Sequence, residues 1–156
     1  HARHHLCLYD ERSRSCFTGD TFGLSYREFD TANGPYAMPT TTPVQFDPAA
    51  LHASIERLLA LQPQAAYLTH YGRVGDLARL AAGLHEQIEA MVAIAREAKD
   101  RADRHAYLKE RLAALYAQRV RAHGWRGSDA ELDALLGMDV ELNAQGLEVW
   151  LDRPPR

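Results

Sequence analysis

Apolar and polar positions follow two rhythms along this chain, strand-like and irregular before Val74 and helical after it. Residues 5–9 (His-Leu-Cys-Leu-Tyr) and 15–18 (Ser-Cys-Phe-Thr) are short β-prone runs, and the polar stretch 10–14 between them suits a hairpin loop. The spacing predicts a hairpin that feeds Asp20. Residues 21–43 sustain no period and carry Gly23, Gly34, Pro35, Pro39 and the threonines Thr40, Thr41 and Thr42. A structureless run of that length is expected to be a functional loop or lid. Asp47-Pro48 supplies an N-cap followed by proline at the first helical position, and Leu51, Ile55, Leu58 and Leu59 recur at helical spacing. That helix is expected to end before Pro63. The brief apolar run 65–69, bounded by Pro63 and Gly72, reads as a buried strand delivering His70 at its exit.

From Val74 onward the residues Val74, Leu77, Leu80, Leu84, Ile88, Met91 and Ala95 form one apolar stripe that reads as helical. A single helix from Leu84 to His123 would be about 60 Å long at roughly 1.5 Å per residue, so a break is expected in the polar string 99–103. Leu108, Leu112, Leu115, Tyr116 and Arg119 with Val120 make a second stripe ending near Gly124. Ser128-Asp-Ala-Glu131 has the form of a capping box and opens a third helix. Gly137 is expected to interrupt it, with Val140, Leu142, Leu147 and residues 149–151 packing a last helix or irregular tail. No internal repeat or low-complexity segment is visible.

At 156 residues and 46% hydrophobic content the chain has the means for a sizeable core. Its formal charge of −3, from 18 basic and 21 acidic residues, gives no electropositive footprint, so nucleic acid is not an expected partner. Cys7 and Cys16 are expected as reduced thiols. No apolar run approaches the roughly 20 residues that span a bilayer, so no membrane partner is expected and a cytoplasmic location is the working expectation.

Three short segments carry candidate chemistry: His1-Ala-Arg-His-His5, Phe17-Thr-Gly-Asp20-Thr-Phe22 and Leu68-Thr-His70-Tyr-Gly72. Each lies at an end of an apolar strand, and side chains placed there converge on one edge of a sheet. Imidazole and carboxylate donors suit zinc, and also iron or manganese. No Gly-x-Ser-x-Gly elbow is present, consistent with chemistry that needs no protein nucleophile. His52, His85, His105 and His123 are expected far apart on helices, as solvated or core residues.

Together and in order, the three segments resemble the later metal-binding motifs of the metallo-β-lactamase-fold hydrolases, over residues 1–76. The resemblance implies an α/β fold, the C-terminal half of a metallo-β-lactamase-type αββα sandwich with an appended helical tail. Residues 1–76 would be the partial metallo-hydrolase domain and 77–156 the helical region packed on it. It implies that His5 binds a first metal, that Asp20 bridges two metals as the catalytic carboxylate, and that His70 serves the second. Two Zn2+ ions are implied per intact site, with iron or manganese as alternatives. The implied activity is attack of a metal-bound hydroxide on an ester, thioester or lactone of a small molecule.

His1 and His4 flank the first ligand and are candidates to orient it. Arg27, Tyr26 and Tyr36, with Phe22, follow Asp20 and are expected either to line the substrate pocket or to close the core. The family's His-x-His-x-Asp-His signature lies upstream of the matching segment and has no counterpart here, which would leave two protein ligands per metal. The expectation is therefore an enzyme in its intact parent, inactive as this fragment, with an uncovered apolar sheet face through which two copies could pair. A non-catalytic binding or dimerisation module and an iron-dependent persulfide dioxygenase-like enzyme are the alternatives.

Overall fold

Four short strands form one mixed sheet and four helices pack on it in a computed structural model that describes residues 5–41 and 45–153. The strands β1 (Leu8–Asp10), β2 (Ser15–Gly19), β3 (Ala65–Leu68) and β4 (Gly72–Val74) lie side by side in chain order. β1 and β2 are the expected hairpin, whose turn is nucleated by Asp10 accepting from the backbone N–H groups of Arg12 and Ser13 at 3.2 Å each. β2 and β3 run parallel, so the chain between them must cross from one end of the sheet to the other. The loop 20–41 and helix α1 (Pro48–Ala60) make that crossing.

The sheet has two unlike faces because its registers align residues in rows. Tyr9, Cys16, Ala66 and Val74 form one row, and the last three are each 1% exposed. Leu8, Phe17, Tyr67 and Arg73 form the opposite row, where Leu8, Phe17 and Tyr67 are 61%, 48% and 37% exposed. Phe17 and Tyr67 stack there with ring centroids 5.0 Å apart. The helices thus cover one face and leave an apolar row on the other.

α1 starts where the sequence places it, with Asp47 accepting from the Ala50 N–H at 3.0 Å and Pro48 in the first turn. α2 (Leu77–Ala98) and α3 (Arg104–Ala122) are separated at the expected polar string. The capping box of α4 (Asp129–Leu151) is complete, with both reciprocal contacts between Ser128 and Glu131 formed. The expected interruption at Gly137 does not occur: α4 runs unbroken through Gly137 and Gly146. Tertiary packing outweighs the helix penalty of glycine, about 1 kcal/mol per residue, and Gly146 is where the backbone of α4 approaches Thr41.

The chain from Ala65 also differs from its expected single strand. It turns at residues 69–71, with Tyr71 and Gly72 at φ 74° and 93°, and returns antiparallel as β4. The loop 20–41 is no loose flap: Phe22, Phe29 and Met38 are each at most 1% exposed, and Leu24 and Met38 exchange backbone hydrogen bonds of 2.9 Å. One buried cluster runs through sheet, loop and all four helices, so residues before and after 76 share a core. Among the described residues no helix is long and apolar enough to cross a membrane.

Candidate metal centre

Asp20 and His70 meet because β2 and β3 are parallel neighbours: both residues follow the carboxyl end of a strand, and those ends lie side by side. Asp20 Oδ1 stands 3.6 Å from His70 Nε2, with the carboxylate 19% exposed and the imidazole 51% exposed. Carboxyl ends of parallel strands are where open α/β sheets commonly hold ligands, since the loops there diverge and leave a crevice.

A slip of register sets the detail. Phe17 pairs with Tyr67 but Gly19 pairs with Leu68, so Thr18 has no opposite number on β3. The Thr18 carbonyl then accepts from three directions: His5 Nε2 at 3.1 Å, the Cys7 thiol at 3.3 Å and the Thr21 N–H at 3.1 Å. One backbone oxygen thereby gathers the chain before β1 and the turn after Asp20. Gly19 is required beside it, since φ is 51° and an added Cβ would fall 2.1 Å from the His5 ring.

The rest of the surroundings come from the loop and from α4. The Tyr26 hydroxyl donates to Asp139 Oδ2 at 2.6 Å, and the Tyr26 ring lies 4.3 Å from that of Tyr71, the residue after His70. Burial pushes the Asp139 carboxyl above its ordinary value, while the Tyr26 hydrogen bond and the charge of His70 pull the other way. Burial first, then the Asp139 contact, raises the Tyr26 phenol, which therefore stays protonated as a donor. Asp139 was not expected from the motifs. Its signal was present: it is an acid within the apolar stripe Leu132, Leu136, Val140, Leu147.

The other sequence candidates separate. Arg27 folds back on its own loop, donating through Nε and Nη2 to the Ser25 carbonyl at 3.1 and 2.9 Å and pairing with Asp30 at 3.3 Å. Tyr36 is buried against α2, its hydroxyl donating to Gln87 Oε1 at 2.7 Å. It lines a cleft of about 330 Å³ with Arg79, Glu86, Arg119 and His123, a lining that does not include His70. Phe22 serves the core. Tyr26 alone of the proposed pocket group reaches the neighbourhood of His70. His1 and His4 lie outside the described residues.

Two of the histidines expected to be isolated are not: His52 on α1 and His85 on α2 touch through Nδ1. His105 sits between Glu148 and Glu141, at 2.9 and 3.2 Å, and His123 donates to the Gly34 carbonyl at 2.9 Å.

The Asp20–His70 pair fits one edge of a metal polyhedron. Zinc bonds of roughly 2.0–2.1 Å to nitrogen and oxygen place two tetrahedral donors about 3.4 Å apart, close to the 3.6 Å observed. His5 commits its Nε2 proton to the Thr18 carbonyl, which leaves Nδ1 as the acceptor nitrogen of the ring. Among the described residues no group of three or more His, Cys, Asp or Glu side chains is arranged to hold a metal ion. Comparison of the chain with protein families, with curated proteins and with solved structures returns no match.

Proposed function

We propose that this chain carries part of the active site of a metal-dependent hydrolase of the metallo-β-lactamase superfamily, with His5, Asp20 and His70 as metal ligands. The observation that carries this reading is the 3.6 Å approach of Asp20 and His70 at the ends of adjacent parallel strands. The two-faced sheet supports the finer fold assignment, because the exposed row of Leu8, Phe17 and Tyr67 is the kind of surface a second sheet of an αββα sandwich would cover.

Zinc, with iron or manganese as alternatives, supplies a Lewis acid that polarises a carbonyl oxygen and brings the ionisation of water toward neutral pH. The protein's own contribution is positional. The Thr18 carbonyl and Gly19 fix the exit of β2, so Asp20 is presented from a tight turn closed by the Gly23 N–H donating to the Asp20 carbonyl at 3.0 Å. Tyr26 packs on Tyr71 and its hydroxyl donates to Asp139, an arrangement that braces the turn bearing His70. The substrate in this reading is a small ester, thioester or lactone, in keeping with a net charge of −3 that offers no attraction to a phosphate backbone.

The test uses the protein loaded with Zn2+ and assayed on ester, thioester and lactone substrates. Asp20→Asn and His70→Asn are expected to lower turnover by on the order of 10³-fold, equivalent to about 4 kcal/mol of barrier. Unchanged turnover in His70→Asn refutes the assignment, and iron content with oxygen consumption redirects it to persulfide dioxygenase-like chemistry.

The exposed sheet row favours a second reading, a non-catalytic module that associates through that face. It requires that Phe17→Glu reduce self-association in sedimentation velocity while His70→Asn leaves function untouched.

A further inference from the structure

Two helices that bear no part of the site above bring four titratable side chains together in a crossed pattern. α1 contributes His52 and Glu56, α2 contributes His85 and Glu89, each pair one helical turn apart. Each imidazole reaches the other helix's carboxylate: His52 Nε2 lies 2.8 Å from Glu89 Oε1, and His85 Nε2 lies 2.7 Å from Glu56 Oε1. The ring centroids lie 4.8 Å apart with the planes inclined by 24°, and the Nδ1 atoms approach to 2.5 Å, so the rings meet edge to edge through Nδ1.

The proton inventory constrains what this arrangement can be. An ionised carboxylate only accepts, so each Nε2 must carry a proton, and a neutral imidazole has one proton to carry. Both Nδ1 atoms then present lone pairs, aimed at each other across 2.5 Å. Two opposed lone pairs repel, and a cation between them converts the repulsion into a bond. A carboxylate on the far nitrogen is also how metal-binding histidines are oriented and made more basic. The scaffold is preorganised, since Leu51, Ile55, Leu84 and Ile88 pack the two helices at 0–3% exposure. The rings themselves are 25% and 26% exposed, so water can complete a coordination shell.

We propose that His52 and His85 form a two-histidine divalent metal site that clamps α1 to α2, with Glu56 and Glu89 orienting the rings and balancing the charge of the ion. The nitrogens must part to roughly 3.3 Å, the donor spacing of a tetrahedral site with bonds of about 2.0 Å. Two imidazole donors and water suit Cu2+, Ni2+ and Zn2+, with Cu2+ the tightest by the usual order of affinities. The site is open, with two protein donors, and so differs in kind from a closed structural zinc cage.

The experiment is run in a background with His1, His4, His5 and His70 changed to Asn, which separates this site from the one proposed above. Zn2+ titration by calorimetry is expected to show one site that raises the melting temperature, and Cu2+ is expected to give an electron paramagnetic resonance spectrum with coupling to two imidazole nitrogens. His52→Gln or His85→Gln is expected to weaken binding at least about tenfold and to abolish the thermal shift. Glu56→Gln with Glu89→Gln keeps both rings and is expected to weaken binding about 10- to 100-fold, as loss of such orienting partners does. Binding that is absent in the background protein, or unchanged in His52→Gln and His85→Gln, overturns the proposal and leaves a proton as the shared cation. Circular dichroism of each variant establishes folding, and the Glu pair tests the site even if a His variant unfolds.

Discussion

Alanine at Gly137 and alanine at Gly146 are the same change in the same helix, and the structure gives them opposite signs. At Gly137 an added Cβ would have nothing within 4 Å. Only the backbone term applies there, and alanine is favoured over glycine in a helix by about 0.8–1.0 kcal/mol. At Gly146 the Cβ would fall 2.3 Å from Thr41 Oγ1 and 2.8 Å from the Thr41 carbonyl oxygen, so something must move. Thr41 is not free to move cheaply. Its N–H donates to Asn143 Oδ1 at 2.7 Å and its hydroxyl to the Asn143 carbonyl at 3.0 Å, while Asn143 Nδ2 donates to the Tyr116 hydroxyl at 2.9 Å. All three residues are at most 1% exposed.

Displacing Thr41 forfeits two buried hydrogen bonds at a net of about 1 kcal/mol each, and overpacking typically costs about 1–3 kcal/mol. These overlap, because relief of the clash is what breaks the bonds, so the gross cost is about 2–4 kcal/mol. Subtracting the propensity gain leaves Gly146→Ala destabilised by about 1–3 kcal/mol. For a chain of this size each kcal/mol moves the melting temperature by roughly 2–4 °C. Urea denaturation followed by circular dichroism reads both variants, with an unchanged m-value required for the comparison. Stabilisation by Gly146→Ala refutes the close approach of α4 to Thr41. Destabilisation by Gly137→Ala refutes the continuous helix.

Two further predictions rest on α4. Ser128→Ala removes the hydroxyl that accepts from the Glu131 N–H at 3.3 Å and is expected to lower stability by about 0.5–2 kcal/mol, read as a lower urea midpoint; no change would show that the cap contributes nothing. Asp139→Asn addresses a carboxyl whose folded-state pKa is raised, chiefly by burial. In the window above the ordinary carboxylate pKa the folded state then binds more protons than the unfolded one, so this group's contribution to stability falls as pH rises. The variant is expected to flatten that slope in urea midpoints measured from about pH 4 to 7, and an identical slope in both proteins would refute the burial argument.

Local signals were legible in the sequence and contacts between distant segments were not. Asp47-Pro48 and Ser128 with Glu131 act within a single turn, so their residue types reveal the helix starts that are observed. The polar string 99–103 likewise marks the gap between α2 and α3. Gly137 misled because intrinsic propensity is a weak term beside the packing of Leu136, Ala144 and Leu147, each at most 2% exposed. β4 was missed because strand periodicity needs more than the three residues Gly72–Val74 to declare itself. The pairing of His52 with His85 depends on how α1 crosses α2, and no local pattern encodes a crossing. Of the candidate site, the Asp20–His70 pair was legible because strand ends of a parallel pair are forced together. Asp139 stands out as an acid within the apolar stripe of α4, but its contact with Tyr26, more than a hundred residues upstream, has no local signal.

That late arrival bears on how the site could tolerate change. β2 and β3 fix the backbone positions of Asp20 and His70, but the turn carrying His70 contains Tyr71 at φ 74°, a conformation that bulky residues adopt only under constraint. The ring of Tyr71 packs at a tilt of 30° against Tyr26, and Tyr26 is tied to Asp139 on α4. The strained turn is thus held from the helical side of the core as well as by the pairing of β3 with β4. α4 therefore touches the residue that follows His70 through Tyr26 and Asp139. The Gly146 contact belongs to the same argument, because it seats α4 against Thr41 at the far end of the loop that carries Tyr26. A change that lifts α4 from that loop should loosen the Tyr26–Asp139 bond and, through Tyr71, the imidazole of His70, with β2 and β3 still paired.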